Sequence, residues 1–316
     1  MCRVGSALPQ LSATSPGRLL RAMLDRPQIL VLPGAFDAMS AKIIEQARFE
    51  AVYVTGAGFA NAQFGYPDIG LVTMSEIVEH VARISDAVDI PVVADADTGF
   101  GSLLQVRRTV RALERAGAAA VQIEDQVAPK RCGHFDGQQV IASAEMVSKI
   151  AMAVDSRRSD DLVIIARTDA RSVSGFDEAV QRAQEFAAAG ADVVFVEALR
   201  SESELRELPT RVAVPLLANM VEGGKTPTLS AAQLQDAGYK IALFANTALR
   251  ASMAAVMRVM GILRAEGGTR GALPYILSFP SRQQVVGLDE YRELEARYVH
   301  SADAAGGTPP RACYLR

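Results

Sequence analysis

The feature that most constrains the fold is an alternation of short apolar segments with longer amphipathic ones, repeated eight times between residues 29 and 244. In the longer segments apolar residues recur at i, i+3 and i+4, as on one face of a helix. Three of them end in Ala-Gly directly before an apolar segment, at Gly117, Gly190 and Gly238, where glycine supplies a left-handed helix C-cap. The predicted strands are 29–32, 51–54, 92–94, 120–123, 162–166, 192–196, 215–218 and 241–244. The repeat therefore predicts eight successive βα units.

The predicted strands carry no polar face, which favours an α/β fold in which both sides of a parallel sheet are covered, the closed (β/α)8 TIM barrel. A doubly wound open sheet is the alternative, but it would carry a G-x-G-x-x-G loop after its first strand. The first strand here runs into Pro-Gly-Ala-Phe-Asp at 33–37, which does not fit that pattern. We therefore predict a flexible leader at 1–16, a catalytic barrel at 17–270 and a helical C-terminal extension and tail at 271–316.

Charge and composition exclude several classes of partner. The chain has 316 residues and a formal net charge of -3 with no basic run, so it has no electrostatic footprint for nucleic acid. No apolar stretch reaches the roughly 18 residues that a membrane helix needs. The three cysteines, Cys2, Cys132 and Cys313, do not form a disulfide framework. We therefore expect a cytoplasmic protein with reduced thiols.

Polar side chains follow five consecutive predicted strands, from the third to the seventh. These side chains are Asp95 and Asp97, Glu124 and Asp125, Arg167 and Asp169, Glu197, and Asn219. A barrel of this type assembles its active site at the carboxyl ends of its strands. Any one of these residues alone could be a helix cap or a solvated loop residue. The whole set indicates one polar mouth.

The chemistry of this mouth predicts a metal. Asp95, Asp97 and Glu124 would repel one another unless a cation lay among them. Of three histidines only His134 is close in sequence, which disfavours zinc, whereas carboxylates with open positions suit Mg²⁺ or Mn²⁺. Arg167 emerges among the acids and can bind a small anionic substrate through its carboxylate. Since no lysine falls at a predicted strand end, a Schiff-base aldolase is disfavoured.

A reactive thiol is predicted in the segment Lys-Arg-Cys-Gly-His at 130–134. Neighbouring positive charge stabilises a thiolate, whereas a structural cysteine is expected in an apolar run. Flanking glycines and Pro129 indicate a mobile loop that carries an acid or a nucleophile. Cys132 and His134 are the candidate catalytic residues of this loop.

Four motifs resemble the isocitrate lyase/phosphoenolpyruvate mutase superfamily. They are DADTGFG at 95–101, IEDQ at 123–126, PKRCGH at 129–134 and ARTDA at 166–170, and the resemblance covers roughly 33–219. It implies a (β/α)8 barrel whose C-terminal helix is swapped between subunits of a homotetramer. It also implies a Mg²⁺-dependent step at an α-keto acid or its enolate.

The resemblance also implies roles for individual residues. Asp97 would ligate the metal directly, and Asp95, Glu124 and Asp68 would hold it largely through water. The keto-acid end of the substrate would be bound by Tyr53, Thr55, Gly56, Ala57 and Arg167. The loop with Cys132, Gly133 and His134 would close over the substrate, and Glu197 and Asn219 would contact its far side.

Cys132 separates the branches of this superfamily, because the carbon–carbon lyases carry this cysteine and the phosphonate-forming mutases lack it. The chain departs from the usual lyase pattern at Ala57, where lyases often have glycine, and at Gln138, where lysine is common. Phe-Asp-Gly at 135–137 is closer to the alkylmalate lyase and oxaloacetate hydrolase branch.

The expected reaction is retro-Claisen cleavage of a 2-hydroxy di- or tricarboxylate, of the 2-methylisocitrate or 2,3-dimethylmalate type, to an α-keto acid such as pyruvate and a second carboxylic acid. A base near Tyr53 would take the hydroxyl proton, and Cys132 would protonate the carbanion. Two further hypotheses stay open. The first is an oxaloacetate hydrolase, a decarboxylase or a phosphonomutase-type enzyme acting at the same site. The second is a barrel that binds a dicarboxylate without turnover.

Overall fold

The computed structural model describes residues 15–133, 135 and 137–304, with side chains up to residue 299. Eight parallel strands follow one another around a closed barrel, in which β1 pairs with both β2 and β8. The strands are β1 (Leu30–Ala35), β2 (Val52–Val54), β3 (Val92–Asp95), β4 (Ala118–Glu124), β5 (Val163–Thr168), β6 (Val193–Val196), β7 (Leu216–Asn219) and β8 (Ile241–Phe244). The predicted TIM barrel is confirmed, and β3, β4, β5 and β7 continue into the polar residues at their carboxyl ends.

Helices connect the strands and cover the outside of the barrel. They are α1 (Pro16–Asp25), α2 (Ala38–Gln46), α3 (Gly56–Phe59), α4 (Met74–Ala87), α5 (Leu103–Arg115), α6 (Ser143–Ser156), α7 (Ala170–Val173), α8 (Phe176–Ala188), α9 (Glu202–Arg211), α10 (Ala231–Ala237), α11 (Thr247–Glu266), α12 (Phe279–Val285) and α13 (Leu288–Ala304). A π-helical turn, Ala60–Phe64, and a 3₁₀ segment, Arg270–Tyr275, complete the described elements. The predicted C-caps Gly117, Gly190 and Gly238 have φ angles of 96°, 99° and 105°, the left-handed conformation that glycine adopts without strain.

The apolar side chains of each strand belong to two clusters, one between the strands and the outer helices and one inside the barrel. In β2, Val52 and Val54 pack outward against the helices, and Tyr53 joins the cluster inside the barrel. Successive side chains of a strand point to opposite faces, so the inner register can be followed along each strand to its carboxyl end. This register places Asp95, Glu124, Arg167, Glu197 and Asn219 on the inside, at the same mouth of the barrel.

The opposite mouth is closed by α1, whose Leu20 and Leu24 belong to the inner cluster. Ion pairs fasten this end: Arg21 Nη1 lies 2.9 Å from Asp192 Oδ1, and Arg157 Nη1 lies 3.1 Å from Asp192 Oδ2. The barrel therefore presents its open, polar mouth at the carboxyl ends of the strands.

A second compact unit begins at Ala254 and contains the rest of α11, the 3₁₀ segment, α12 and α13. Many of its large apolar side chains are exposed, among them Met257, Phe279 and Tyr291. In the part of the chain that the structure describes, no helix combines the length and apolar character that crossing a membrane requires.

Closure of the barrel predicts a strong penalty for a side chain at Gly34. A Cβ added there would lie 1.9 Å from the carbonyl oxygen of Ala245, so β1 could no longer lie against the end of β8. We expect Gly34→Ala to destabilise the protein by about 3 kcal/mol or more. Gly261→Ala is the matched control, since no atom lies within 4 Å of a Cβ built at this position. Urea denaturation of both variants checks this, and equal stabilities would contradict it.

Candidate active site

Most of the predicted site residues converge on one pocket at the open mouth. This pocket is lined by Tyr53, Thr55, Ala57, Asp68, Asp95, Cys132, Gly133, Arg167, Glu197 and Asn219. Gly56 and Asp97 line an adjoining cleft together with Asp68 and Asp95. Glu124 is buried behind them, with Oε2 lying 3.4 Å from Arg167 Nε. His134 lies outside the described residues, so its predicted role stays a prediction.

The turn after β3 shapes the acidic side of the pocket. The Asp95 carboxylate accepts hydrogen bonds from the backbone N–H groups of Gly56, at 3.2 Å, and Asp97, at 3.1 Å. Asp97 itself has φ 45°, in the left-handed region that few residues other than glycine adopt. Backbone strain of this kind concentrates at functional sites. The turn therefore holds the Asp97 carboxylate at the cost of local strain.

An unforeseen cation lies among these acids. Lys130 Nζ is 2.5 Å from Asp68 Oδ1 and 2.9 Å from Asp97 Oδ1, and its side chain is only 7% exposed. Burial lowers the pKa of Lys130, but the carboxylates of Asp97, Asp68, Glu124 and Asp95 outweigh it and hold that pKa well above its usual value. The ammonium therefore stays charged. Sequence reasoning places this lysine in a mobile loop, and the only signal for its position is the unbalanced negative charge.

Two buried carboxylate oxygens fit a metal cation. From the residues that the structure describes, Glu124 Oε1 accepts no hydrogen bond, and neither does Asp97 Oδ1 apart from its ion pair with Lys130. Burial raises the pKa of Asp97 to about 6 and the pKa of Glu124 well above its usual value. Among the described residues, however, no three His, Cys, Asp or Glu side chains converge at ligand spacing. The donor set thus suits an oxygen-preferring ion with few direct protein ligands and several waters, as Mg²⁺ is bound.

Arg167 is held by three carboxylates. Its Nε and Nη2 donate to both oxygens of Asp169, at 2.9 and 2.8 Å, and Glu124 and Glu197 lie 3.4 and 3.6 Å from the guanidinium. Burial lowers the pKa of Arg167, and the neighbouring carboxylates of Asp169, Glu124 and Glu197 raise it well above its usual value. The bidentate edge of the guanidinium therefore faces Asp169, a partner that the sequence did not indicate.

A second layer fixes Asp169. Its backbone N–H donates to Asp125 Oδ1 at 2.9 Å, and Asp125 Oδ2 accepts from Thr168 Oγ1 at 2.7 Å and Arg182 Nη1 at 3.0 Å. Asp125 is fully buried. Asp125 and Asp169 thus orient neighbouring side chains. This is the simpler of two roles for an acidic residue at a strand end, the other being direct contact with a metal or a substrate.

The remaining wall of the pocket is polar and neutral. Burial, together with the negative charge of Asp95, raises the pKa of Tyr53 well above its usual value, so the phenol stays protonated and acts as a donor. Thr55 Oγ1 donates to Asn246 Oδ1 at 3.2 Å, and Asn219 Nδ2 donates to Glu197 Oε2 at 3.1 Å. Asn246 follows β8, which ends in apolar residues, and strand-end reasoning missed it for that reason.

The loop with Cys132 lies over this pocket. Cys132 is half-buried and lines the pocket beside Gly133. A Cβ added to Gly133 would lie 2.5 Å from Arg167 Nη2 and 2.5 Å from Glu197 Cγ. The backbone at Gly133 therefore rests directly on the polar floor, and a larger residue would not fit.

Comparison with known proteins gives consistent matches. The family model described as phosphoenolpyruvate phosphomutase matches residues 20–263. A 2,3-dimethylmalate lyase from Eubacterium barkeri is 42% identical over 89% of this chain and 97% of its own length. A 2-methylisocitrate lyase from Aeropyrum pernix is 44% identical over 91% of this chain and 92% of its own length.

Solved structures agree with these sequence matches. A crystal structure of 2,3-dimethylmalate lyase superposes with a TM-score of 0.86 at 37% identity, covering 94% of this chain and 99% of that one. Oxaloacetate acetylhydrolase in complex with 3,3-difluorooxalacetate gives 0.84 at 31% identity, covering 94% and 99%. Phosphonopyruvate hydrolase in complex with oxalate and Mg²⁺ gives 0.81 at 32% identity, covering 90% and 100%.

The position of Lys130 predicts competition between its ammonium and a divalent ion. Lys130→Met leaves Asp68 and Asp97 without their buried counter-charge, so we expect Mg²⁺ to bind at least about tenfold more tightly. Lys42→Met, in α2, is the control and should leave the affinity unchanged. Calorimetric titration of the substrate-free protein measures both. Unchanged or weaker Mg²⁺ binding by Lys130→Met would show that ammonium and ion use separate positions.

The raised pKa of Asp97 predicts a pH dependence for metal binding. Because burial raises this pKa to about 6, the carboxyl group holds a proton below that pH and must lose it to ligate. We expect Mg²⁺ affinity to fall by up to about tenfold per pH unit below pH 6 and to level off above pH 7. Titrations between pH 5 and 8 check this, with Asp97→Asn as the variant that loses binding. A constant affinity over this range would contradict the assignment.

Proposed function

This chain belongs to the phosphoenolpyruvate mutase/isocitrate lyase superfamily, as its motifs indicated, and we propose that it is a Mg²⁺-dependent carbon–carbon lyase. Its substrate is a 2-hydroxy di- or tricarboxylate of the 2-methylisocitrate or 2,3-dimethylmalate type, cleaved to an α-keto acid such as pyruvate and a second carboxylic acid. The observation that carries the proposal is that Cys132 and Arg167 line one pocket with two members of an acidic cluster, Asp68 and Asp95. The other two members, Asp97 and Glu124, lie in the adjoining cleft and behind Arg167.

The acidic cluster holds the metal in this proposal. Asp97 binds it directly, and Asp95, Glu124 and Asp68 bind it through water. When bound, Mg²⁺ lowers the pKa of the substrate hydroxyl and stabilises the α-keto acid product. The buried carboxylate oxygens of Asp97 and Glu124 and the Mg²⁺ complex of phosphonopyruvate hydrolase support this assignment. Mn²⁺ is the alternative ion.

The substrate is oriented by groups on two sides of the pocket. Thr55, Gly56 and Ala57, at the start of α3, bind the carboxylate of the keto-acid portion together with Arg167. Tyr53 stays protonated and donates a hydrogen bond to this portion. Glu197 and Asn219 contact the far side, where the side-chain carbonyl oxygen of Asn219 is buried and has no hydrogen-bond partner within the described ranges.

Cleavage then requires two proton transfers, one from the substrate hydroxyl and one to the carbon at the other end of the broken bond. The Asp95 carboxylate, beside Tyr53, takes the hydroxyl proton, the carbon–carbon bond breaks as the carbonyl forms, and its electron pair stays on the carbon beside the second carboxylate. Cys132 donates a proton to that carbon as general acid. The loop above the pocket excludes water that would otherwise intercept the carbanion. His134 is the second catalytic residue that we propose for this loop.

The proposal extends to assembly and location. The exposed apolar side chains of the second unit support an exchange of C-terminal helices within a homotetramer. We assign catalysis to residues 17–270 and assembly to the extension that begins at residue 271. The protein acts in the cytoplasm on a small anionic substrate, without nucleic acid or membrane partners.

A second candidate reaction is hydrolysis or decarboxylation of oxaloacetate at the same site. The match to oxaloacetate acetylhydrolase motivates this candidate. The Phe-Asp-Gly sequence at 135–137 favours it over a phosphonomutase-type reaction. The presence of Cys132 also counts against the phosphonomutase-type reaction. Binding of a dicarboxylate without turnover is the non-enzymatic hypothesis.

The products of a substrate panel separate these reactions. We expect an α-keto acid from 2-methylisocitrate, 2,3-dimethylmalate or a 2-alkylmalate with Mg²⁺, and its loss with a chelator. Acetate plus oxalate, or carbon dioxide plus pyruvate, from oxaloacetate alone would instead establish the second candidate. Saturable binding with no product across the panel would support the non-enzymatic hypothesis.

The role of Cys132 predicts the effect of its removal. We expect Cys132→Ser to lower kcat by about 100- to 10,000-fold, the usual contribution of a general acid, while Mg²⁺ affinity is unchanged. The double variant Cys2→Ser, Cys313→Ser is the matched control and should keep full activity. Near-normal turnover by Cys132→Ser would contradict the assignment.

A further inference from the structure

The loop that carries Cys132 leaves and re-enters the barrel at one point. Gln126 and Val140 form an antiparallel bridge at its base, and Val127 N–H donates to the carbonyl of Gln139 at 2.8 Å. Two glutamines, Gln126 and Gln138, occupy the two sides of this base, and both are buried. Their side chains turn into the loop.

The two carboxamides hold the backbone on either side of the thiol. Gln126 accepts from Arg131 N–H at 2.9 Å and donates to the Arg131 carbonyl at 2.8 Å. Gln138 Nε2 donates to the carbonyls of Cys132, at 3.0 Å, and Gly133, at 2.8 Å. Every residue from 131 to 133 is thus fixed by a side chain from the loop base.

We propose that Gln138 is a positioning residue that holds Cys132 over the substrate pocket. The inference rests on the proposed function only for the role of the thiol, and its geometry is independent of that role. The carbonyls that Gln138 binds are those of Cys132 itself and of the residue after it. Gly133 in turn lies against Arg167 and Glu197, where no Cβ fits. The segment is therefore held from above by Gln138 and from below by the pocket floor.

A carboxamide suits this position for electrostatic reasons. One NH₂ group supplies two N–H donors to two carbonyls and remains neutral, so no charge is buried beside the thiol. A glutamate of the same shape would only accept, and would be repelled by both carbonyls. A leucine would remove the side-chain donor from both carbonyls and leave the Cys132 carbonyl only the backbone N–H of Phe135, at 2.9 Å. A lysine would keep the donors on a longer side chain. Gln138 is also a departure from the superfamily pattern, in which lysine is common here, so the assignment concerns this chain in particular.

The test compares four variants: Gln138→Leu, Gln138→Glu, Gln138→Lys and the matched control Gln139→Leu. Gln139 is the exposed neighbour, so the control makes the same chemical change one residue away. The first readout is the rate at which iodoacetamide alkylates Cys132, with Cys2 and Cys313 replaced by serine and the modified peptide identified by mass spectrometry. The second is steady-state kinetics on the substrate that the panel identifies. Melting temperatures of all variants are measured alongside.

We expect Gln138→Leu to alkylate about tenfold faster, and both Gln138→Leu and Gln138→Glu to lose about 10- to 100-fold in kcat, since two hydrogen bonds to the loop are lost. KM should change much less than kcat, and the melting temperature should stay that of the control. Gln138→Lys should restore most of the kcat because it retains the donors. Alkylation is compared only for the two neutral variants, Gln138→Leu and Gln139→Leu, because a charged side chain beside the thiol would itself change the thiolate fraction.

The proposal would be overturned by a kcat within twofold of Gln139→Leu for both donor-less variants together with an alkylation rate of Gln138→Leu within twofold of that control. A Lys variant as impaired as the Leu variant would overturn it too, since the donors would then not matter. If the unaltered protein cleaves nothing in the panel, the proposed function fails and the alkylation rates alone decide the role of Gln138. If the unaltered protein is active and the variants match it, the proposed function stands and the positioning role fails.

Discussion

The site depends on an excess of negative charge at one mouth of the barrel. Within the described part of the chain, the carboxylates of Asp68, Asp95, Asp97, Glu124, Asp169 and Glu197 face two cations, Lys130 and Arg167. Bringing like charges together away from water is costly, and a protein relieves this cost by binding a cation or by keeping protons. The raised pKa values of Asp97 and Glu124 show the second response. This excess of negative charge explains why a buried lysine lies beside Asp97.

The barrel supplies the geometry that concentrates this charge. Each strand places alternate side chains inside, and the last inner position is acidic in β3 and β4. The inner positions before it are apolar in β3, while β4 has Ala120 and then the buried Gln122. Since all strands are parallel, these last positions share one mouth. The other mouth is closed by the apolar face of α1. The apolar packing against α1 and the polar residues of the site thus lie at opposite ends of the barrel, and the polar residues do not disturb that packing.

Features that recur at the same position of each βα unit could be predicted from the sequence. Strand ends, the helix-ending glycines and the acidic residues at 95, 97 and 124 all lie at fixed positions within a repeat. Lys130 was misjudged because its backbone is in a loop and only its long side chain reaches the acids. The pairing of Arg167 with Asp169 was missed for a similar reason, since two residues of one strand end could each have faced the substrate. How far a long side chain reaches and which partner it pairs with depend on the folded site, so neither could be predicted from the sequence.

The loop joins these features because its functional groups are close together in sequence. Lys130, whose ammonium lies between Asp68 and Asp97, is two residues before Cys132, and Gly133 follows on the floor of the pocket. The backbone atoms of so short a segment move together, whereas the long Lys130 side chain can also move by itself. If a divalent ion displaces the ammonium, as the proposed function requires, the buried glutamines at the loop base limit how far the backbone that carries Cys132 can follow. The proposed metal binding, the position of the loop and the proposed proton donor are therefore linked through this one segment.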